Sequence, residues 1–452
     1  MDEEKNVEKN RRLERSMINM KILMLTWEYP PRIVGGIARV VYDLSHRLIK
    51  DGHEVTVVTY KDANIPNLAD FENDKGVKVY RVDNYMITPN NFTDWIMQLN
   101  FNLIAKATEI INEEGTFDVI HAHDWLVTYA AKTLKQSFKI PLVATIHATE
   151  AGRNSGIHDD VQRYINDTEW LLTYESTDVI VNSNYMKCEL QRLFGLPFDK
   201  INVIPNGVNL NLYNGINRDY DFRRQYAMDN EKIILYLGRL VYEKGVQNLI
   251  SAMPKILNCY HDAKLVIAGK GGMIDELKAQ VNYLGIQNKV YFTGYLDSKS
   301  VQKMYKCADV AVFPSTYEPF GIVALESMLS GTPTVVSDVG GLNEIVEHGV
   351  DGMKSYAGNP NSIADSVLEL LFNSQLCDNI SKNAKSKVKE KYNWNKIAQD
   401  THYVYERAIC QTEAEKQLKQ LEQERQNKAT KANNSEKEIS KLLTFKKKHA
   451  YA

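Results

Sequence analysis

The sequence predicts an α/β protein built as two doubly wound parallel-sheet domains that face each other across a cleft. Three observations predict it. Short apolar runs alternate with amphipathic helical stretches along most of the chain, as expected of strands covered on both faces by crossover helices. The alternation stops after Pro205, in a polar and irregular stretch, and restarts at Lys232. The chain has 452 residues, too many for one ordinary core, so two domains of about 180–200 residues plus tails are expected.

The elements of the first domain follow in order. Lys21 to Trp27 (KILMLTW) reads as a buried first strand, and Glu28 to Gly36 (EYPPRIVGG) as a loop. A helix is expected from Ile37 to about Lys50, then a Gly turn and a strand from Glu54 to Thr59. After a polar excursion come a strand over Val77 to Val82 and a long helix from about Phe92 to Asn112. Phe117 to His121 is a buried strand, and its end carries His121-Ala122-His123-Asp124-Trp125. Leu126 to Gln136 reads as helix, and Pro141 opens the strand LVATIH. An aromatic-rich helix reaches about Glu175. Two short strands, Asp178 to Asn182 and Ile201 to Ile204, flank a further helix.

The second domain repeats the pattern. Ile233 to Leu237 is a strand that ends in Gly238-Arg239, followed by LVYEKG and a helix to about Leu257. Strands are expected at Lys264 to Ala268, Lys289 to Phe292, Asp309 to Phe313 and Thr334 to Ser337, with Gly340-Gly341 at a helix start and Gly349 to Gly352 as a turn. The expected organisation is a charged extension over 1–19, domains over 20–205 and 206–394, a helix over 395–410 that crosses back to the first domain, and a charged tail over 411–452, helical or disordered.

Composition removes several function classes. A net charge of -2 gives no basic bias toward nucleic acid. The five cysteines are scattered, without a C-x-x-C pair or metal-ligand spacing, and read as reduced thiols of a cytoplasmic protein. No apolar run approaches the ~18–20 residues of a membrane span. The first 19 residues mix acids and bases without an apolar core, and do not read as a signal peptide.

The chemistry-bearing residues gather at expected strand ends. After Asp309 to Phe313, the stretch STYEPFGIVALE places Glu318 at a loop tip and Glu326 eight residues on, with a helix expected to begin at Pro319 and to hold Phe320 and Gly321 in its first turn. A helix N-terminus offers unpaired N–H groups to an anion, so amides here suit a diphosphate and the two carboxylates suit hydroxyls. Alone, two acids near a helix start are common and simply stabilising. Arg239 and Lys244 follow another strand and are placed to neutralise a diphosphate; alone, they are a pair of surface bases. Gly35 and Gly36 follow the first strand and let a ligand approach the backbone, although G-x-G-x-x-G is absent. Asp124 and His147 each end a strand. Each alone is more simply a polar residue of the core or a cap; together they face the same cleft. A His-x-His-Asp metal site at His121, His123 and Asp124 lacks a pattern for a further ligand. Asp219-Tyr220-Asp221 is similar to the acidic pair of metal-dependent sugar transferases, but lies in the irregular stretch and not at a strand end.

Taken together these motifs resemble the retaining glycosyltransferases of family 4 and the related bacterial glycogen synthases, which have the GT-B fold. The resemblance is carried by WEYPP…VGG, HAHDW, TIHATEAGR, GRLVYEKG, EPFGIVALE and DVGGL, and covers about residues 20–408. It is strongest toward the short bacterial and archaeal α-1,4-glucosyltransferases. One departure is the loop RIVGGI, Arg32 to Ile37, where the glycogen synthases carry K-x-G-G-L.

The resemblance implies roles. Arg239 and Lys244 stabilise the leaving diphosphate. Glu318 holds the donor sugar, with the backbone of Phe320, Gly321 and Ile322, and Glu326 takes the ribose hydroxyls. His147 and Asp124 contact the sugar from the first domain, and Gly35 and Gly36 approach the diphosphate. The implied reaction moves glucose from ADP- or UDP-glucose onto an α-1,4-glucan with retention of configuration, without a metal or other cofactor. Two other readings stay open: a hexosyl- or mannosyltransferase acting on a lipid or other glycan acceptor, and a non-catalytic protein that binds a nucleotide-sugar or glucan.

Overall fold

The computed structural model of the chain describes residues 19–83, 88, 89 and 91–449; the charged residues 1–18 lie outside it. Two sheets form. The first contains β1 (Lys21–Leu25), β2 (Glu54–Tyr60), β3 (Phe71–Asp74), β4 (Val77–Val82), β5 (Val119–His123), β6 (Leu142–Ile146), β7 (Asp178–Val181) and β8 (Ile201–Val203). Their spatial order is β3-β4-β2-β1-β5-β6-β7-β8, and every pairing is parallel except β3 with β4. The second contains β9 (Lys232–Leu237), β10 (Ala263–Ala268), β11 (Val290–Gly294), β12 (Val310–Phe313), β13 (Thr334–Ser337) and β14 (Met353–Ser355). Its order is β11-β10-β9-β12-β13-β14, parallel throughout.

The central strands are buried along their length: Ile22, Leu23, Met24 and Leu25 in β1, and Ile233, Ile234 and Leu235 in β9, are fully shielded from solvent. Each residue of such a strand meets a helix on one face or the other, which is why these strands read as continuous apolar runs. Both sheets reverse strand order at one point, between β1 and β5 in the first and between β9 and β12 in the second. Such reversals open a crevice at the carboxyl ends of the strands.

The structure corrects several boundaries. β5 runs two residues beyond His121, to His123, so both histidines belong to the strand. The helix expected over Leu126 to Gln136 is a short 3-10 turn at Trp125–Val127 followed by a helix at Thr128–Phe138. β3 and β14 form in stretches that show no strand pattern. The helix that opens at Trp394 runs to His449, so residues 411–449 continue it. Its first four turns complete the first domain: Ile397, Ala398, Val404, Tyr405 and Ala408 pack with Ile22, Met24, Val40 and Val41 in one core. Arg407 adds an ion pair to the buried Asp178 at the start of β7. Asp219 caps the short helix Tyr220–Arg224 and pairs with Lys303 at 2.8 Å, a local structural role.

Candidate active site

The loops that leave β1, β5, β9 and β12 converge on one cavity of about 570 Å³ between the two sheets. Gly35, Gly36, Asp124, His147, Arg239, Lys244, Glu318, Phe320, Gly321 and Ile322 all border it. Glu326, expected to belong with them, does not border it, nor do His121, His123, Asp219 and Asp221.

The second-domain wall is built from β9 and β12. The Lys244 ammonium lies 2.7 Å from Glu318 Oε2, and the Ser315 hydroxyl reaches the same oxygen at 3.3 Å. The Glu318 carbonyl oxygen accepts from Gly341 N at 2.9 Å, which ties the loop to the helix after β13. The Arg239 side chain is half exposed and pairs with Glu243 at 3.4 Å within its own loop, while its carbonyl accepts from the Tyr236 hydroxyl at 2.7 Å. Its guanidinium is therefore held loosely at the cavity edge.

The helix of this wall begins later than the sequence suggests. It spans Ile322–Ser330, and Gly321 precedes it with φ 110°. That backbone conformation suits glycine and interrupts a right-handed helix, so Pro319, Phe320 and Gly321 form a loop and not a first turn. Their backbone borders the cavity, while the Phe320 ring packs into the core against Tyr392.

Glu326 consequently sits one turn into the helix and faces away from the larger cavity. It is buried, its Oε1 is ion-paired with Arg39 of the first domain, and it opens into a smaller adjoining cavity of about 160 Å³. Arg39, Val40 and Ile322 border both cavities. Burial raises the Glu326 pKa, and Arg39 opposes that rise. Glu326 Oε2 has no partner.

The first-domain wall holds Asp124 and His147. Asp124 follows β5 with φ 62° and ψ 171°, a conformation costing a non-glycine residue about 1–3 kcal/mol. Two hydrogen bonds hold it there: its N–H donates to the Thr145 carbonyl at 3.0 Å, and its Oδ1 accepts from His147 N at 2.7 Å. Strain concentrated at a cleft carboxylate points to function. Burial lowers the His147 pKa, Asp124 opposes that and Arg153 adds to it.

Four features of this site carry no signal in the sequence pattern. Glu28, fully buried, accepts from Val34 N at 2.6 Å and Gly35 N at 3.0 Å. It therefore fills with an internal carboxylate the Gly35 amide expected to meet a diphosphate. Arg39 reaches Glu326 across the domains. His123 touches His147, with Nδ1 3.2 Å from His147 Nε2. Tyr317 crosses from the second domain to the first, where its hydroxyl donates to Glu189 Oε1 at 2.9 Å and accepts from Thr149 N at 3.3 Å. Only Gly fits at 152: a Cβ there would fall inside the Tyr317 ring. Two further contacts join the domains: Ser183 to the Pro319 carbonyl at 2.7 Å, and the Glu344 carboxylate on Asn184 N and Tyr185 N, at the start of helix Asn184–Phe194, at 3.0 and 2.8 Å.

The bases of the first-domain wall are committed to acids. Arg39 pairs with Glu326, and Arg153 pairs with Glu150 at 3.3 Å and feels Asp124 and Glu169. Trp27, Phe92 and Trp125 complete this wall. The bases of the second-domain wall are ion-paired as well, Arg239 with Glu243 and Lys244 with Glu318, and of the four bases Arg239 is the most exposed. Among the described residues no group of three or more His, Cys, Asp or Glu is arranged to hold a metal, and no helix is long and apolar enough to cross a membrane.

Comparison with known proteins shows the family of the chain. Residues 34–212 match the model described as Glycosyltransferase Family 4, and residues 218–387 the model described as Glycosyl transferases group 1. The chain is 45% identical over 396 residues to an uncharacterized glycosyltransferase of Methanocaldococcus jannaschii, covering 86% of this chain and 99% of that one. It is 34% identical over 398 residues to the glycogen synthase of Mycobacterium tuberculosis, covering 85% and 94%. Among solved structures, sucrose-phosphate synthase from Thermosynechococcus elongatus superposes with a TM-score of 0.75 at 24% identity, covering 87% of this chain and 100% of that one. HepE from Anabaena, in complex with UDP and glucose, superposes with a TM-score of 0.70 at 23% identity, covering 85% and 99%.

Proposed function

This chain belongs to the family 4 glycosyltransferases with the GT-B fold, and from that premise we propose that it moves glucose from a nucleotide-glucose, ADP- or UDP-glucose, onto an α-1,4-glucan with retention of configuration. The observation that carries the reading is the asymmetry of the cleft. Arg239 and the Lys244–Glu318 pair form one wall, and Asp124, His147 and aromatic side chains the other.

The chemistry follows from that asymmetry. Cleaving the sugar–phosphate bond leaves a diphosphate anion and an oxocarbenium-like sugar. Arg239 and Lys244 stabilise negative charge as it develops on the leaving group. Glu318 pairs with Lys244; with donor bound, Lys244 turns to phosphate and Glu318 to a sugar hydroxyl. Asp124 and His147 hold the sugar from the opposite wall. The acceptor hydroxyl enters on the face the leaving group departs and gives its proton to a phosphate oxygen, so no glycosidase-like acid pair is required. The two fixed bases supply the charge that a metal ion would otherwise supply.

A glucan is the acceptor that the similarity to glycogen synthase supports.

The test uses labelled ADP-glucose, UDP-glucose and GDP-mannose, each with and without glycogen. The expected result is label in glycogen from a glucose donor, released by an α-1,4-specific glucanase. Transfer from neither glucose donor overturns the proposal, and transfer only from GDP-mannose, or only to a lipid extract, replaces it with the corresponding alternative.

A further inference from the structure

His121 and His123 occupy alternate positions of β5, so both side chains leave the same face of the sheet. Their ring centroids are 4.1 Å apart, and both residues are buried. His121 uses both nitrogens: Nδ1 lies 2.7 Å from the Tyr405 hydroxyl and Nε2 lies 2.7 Å from the Thr145 hydroxyl. His123 uses one. Its Nδ1 is 3.2 Å from His147 Nε2, and its own Nε2 is buried without a partner. Burial lowers the pKa of all three imidazoles, which keeps them neutral near pH 7. Each ring then carries one N–H, and a single proton lies between His123 Nδ1 and His147 Nε2.

That proton has two possible owners. If His147 Nε2 carries it, the proton of His123 must sit on Nε2, as a buried N–H with no acceptor. If His123 Nδ1 carries it, His123 Nε2 is only an unused lone pair. Orphaned buried N–H groups are rarer than under-used acceptors, so the second arrangement is the favoured one. The proton of His147 is then on Nδ1.

We propose that His123 is a positioning residue: it fixes His147 in the Nδ1–H tautomer, so that a ring bordering the cavity offers a hydrogen-bond donor to a hydroxyl of the bound sugar and does not act as a proton acceptor. The sugar in this statement rests on the glycosyltransferase reading; the tautomer does not. A donor at this point holds the sugar without competing for the acceptor's proton, which leaves that proton to the phosphate oxygen.

Histidine-labelled (15N) protein tests this directly. Long-range proton–nitrogen correlation spectra of the full chain report the tautomer of His147, assigned by the signals lost in His147→Asn. The expected wild-type result is Nδ1–H. His123→Phe keeps a ring but removes the hydrogen bond; it is expected to mix the two tautomers and to lower kcat about tenfold, with the donor KM changed less than about threefold. His123→Asn, whose amide can donate to His147 Nε2, is expected to restore both tautomer and rate. A wild-type His147 protonated on Nε2, or a tautomer that persists in His123→Phe, overturns the proposal. If His123→Phe does not fold, the wild-type spectrum and His123→Asn still decide it. Absence of sugar transfer by wild-type protein would instead overturn the glycosyltransferase reading, and the spectrum stays readable in that event.

Discussion

The Tyr317 hydroxyl, on the second domain, hydrogen-bonds the Glu189 carboxylate of the first at 2.9 Å, in a contact closed to solvent on both sides. Glu189 Oε1 also accepts from the Thr149 hydroxyl at 2.6 Å, while Oε2 has no partner. Tyr317→Phe therefore removes one hydrogen-bond donor to a buried acid. It is expected to cost about 1–3 kcal/mol in denaturant unfolding. Gly152→Ala pushes the same ring away and is expected to open the cleft, read as a larger radius of gyration in solution scattering. An unchanged radius would show that the Tyr317 contact does not hold the domains together.

Arg239→Ala and Lys244→Ala are each expected to lower kcat/KM by an amount equivalent to about 2–4 kcal/mol of transition-state stabilisation, the usual loss when one preorganised donor is removed. Near wild-type rates in both would remove the leaving-group role.

Transfer is expected to continue at an unchanged rate in excess EDTA, because Arg239 and Lys244 supply positive charge at the diphosphate. A rate that falls with EDTA and returns with added divalent cation would assign that charge to a metal.

Arg39→Met leaves Glu326 buried beside an uncharged neighbour. Breaking a fully buried pair costs about 3–5 kcal/mol, but the Arg39 side chain is 39% exposed, so about 1–3 kcal/mol is expected here. Arg39→Met/Glu326→Gln should recover part of the loss. If the double variant is as unstable as the sum of the single ones, the two residues are not coupled.

Glu169 gives a pH signature. Burial raises its pKa from 4.5 to about 8, against the opposing pull of Arg153. The folded chain therefore holds a proton that the unfolded chain releases between those values. Below pH 4.5 both states are protonated and the group is neutral toward folding. From pH 4.5 to about 8 its contribution falls as pH rises, by at most about 1.4 kcal/mol per unit, and then levels off. Glu169→Gln is expected to be more stable than wild type at pH 8, with the difference shrinking toward pH 5. A difference independent of pH would mean that Glu169 is ionised throughout.

What the sequence made legible follows from how each element is buried. β1, β9 and β12 are apolar runs because helices cover both faces, β5 (VIHAH) is buried but carries two histidines, and the site residues lie just beyond the ends of these strands. β3 (FEND) and β14 (MKS) were not legible: both are short edge strands whose partners supply the pairing. Glu326 lies one turn into a helix that starts only at Ile322, after Gly321, and borders the smaller cavity, which its spacing from Glu318 does not reveal. Tyr317 carries no sequence signal because it acts through Glu189, 128 residues away on the other domain; Glu28 bonds amides of its own loop, and the HAHDW motif displays His123 but not its contact with His147. The tail lacks an apolar period because residues 413–427 are exposed, and its Lys, Glu and Gln content favours continuing the helix from the packed turns.

The crossing helix also sets an order of biosynthesis. Ile397, Val404, Tyr405 and Ala408 are made last among the folded parts, yet they belong to the core of the domain made first. As the chain leaves the ribosome, the first sheet emerges with one side of its core open, and the second sheet is completed before that opening is filled. Residues 20–205 expressed alone would expose the apolar surface around Ile22, Met24, Val40 and Val41, and would depend on a chaperone or on a separately supplied helix 394–410 to stay in solution.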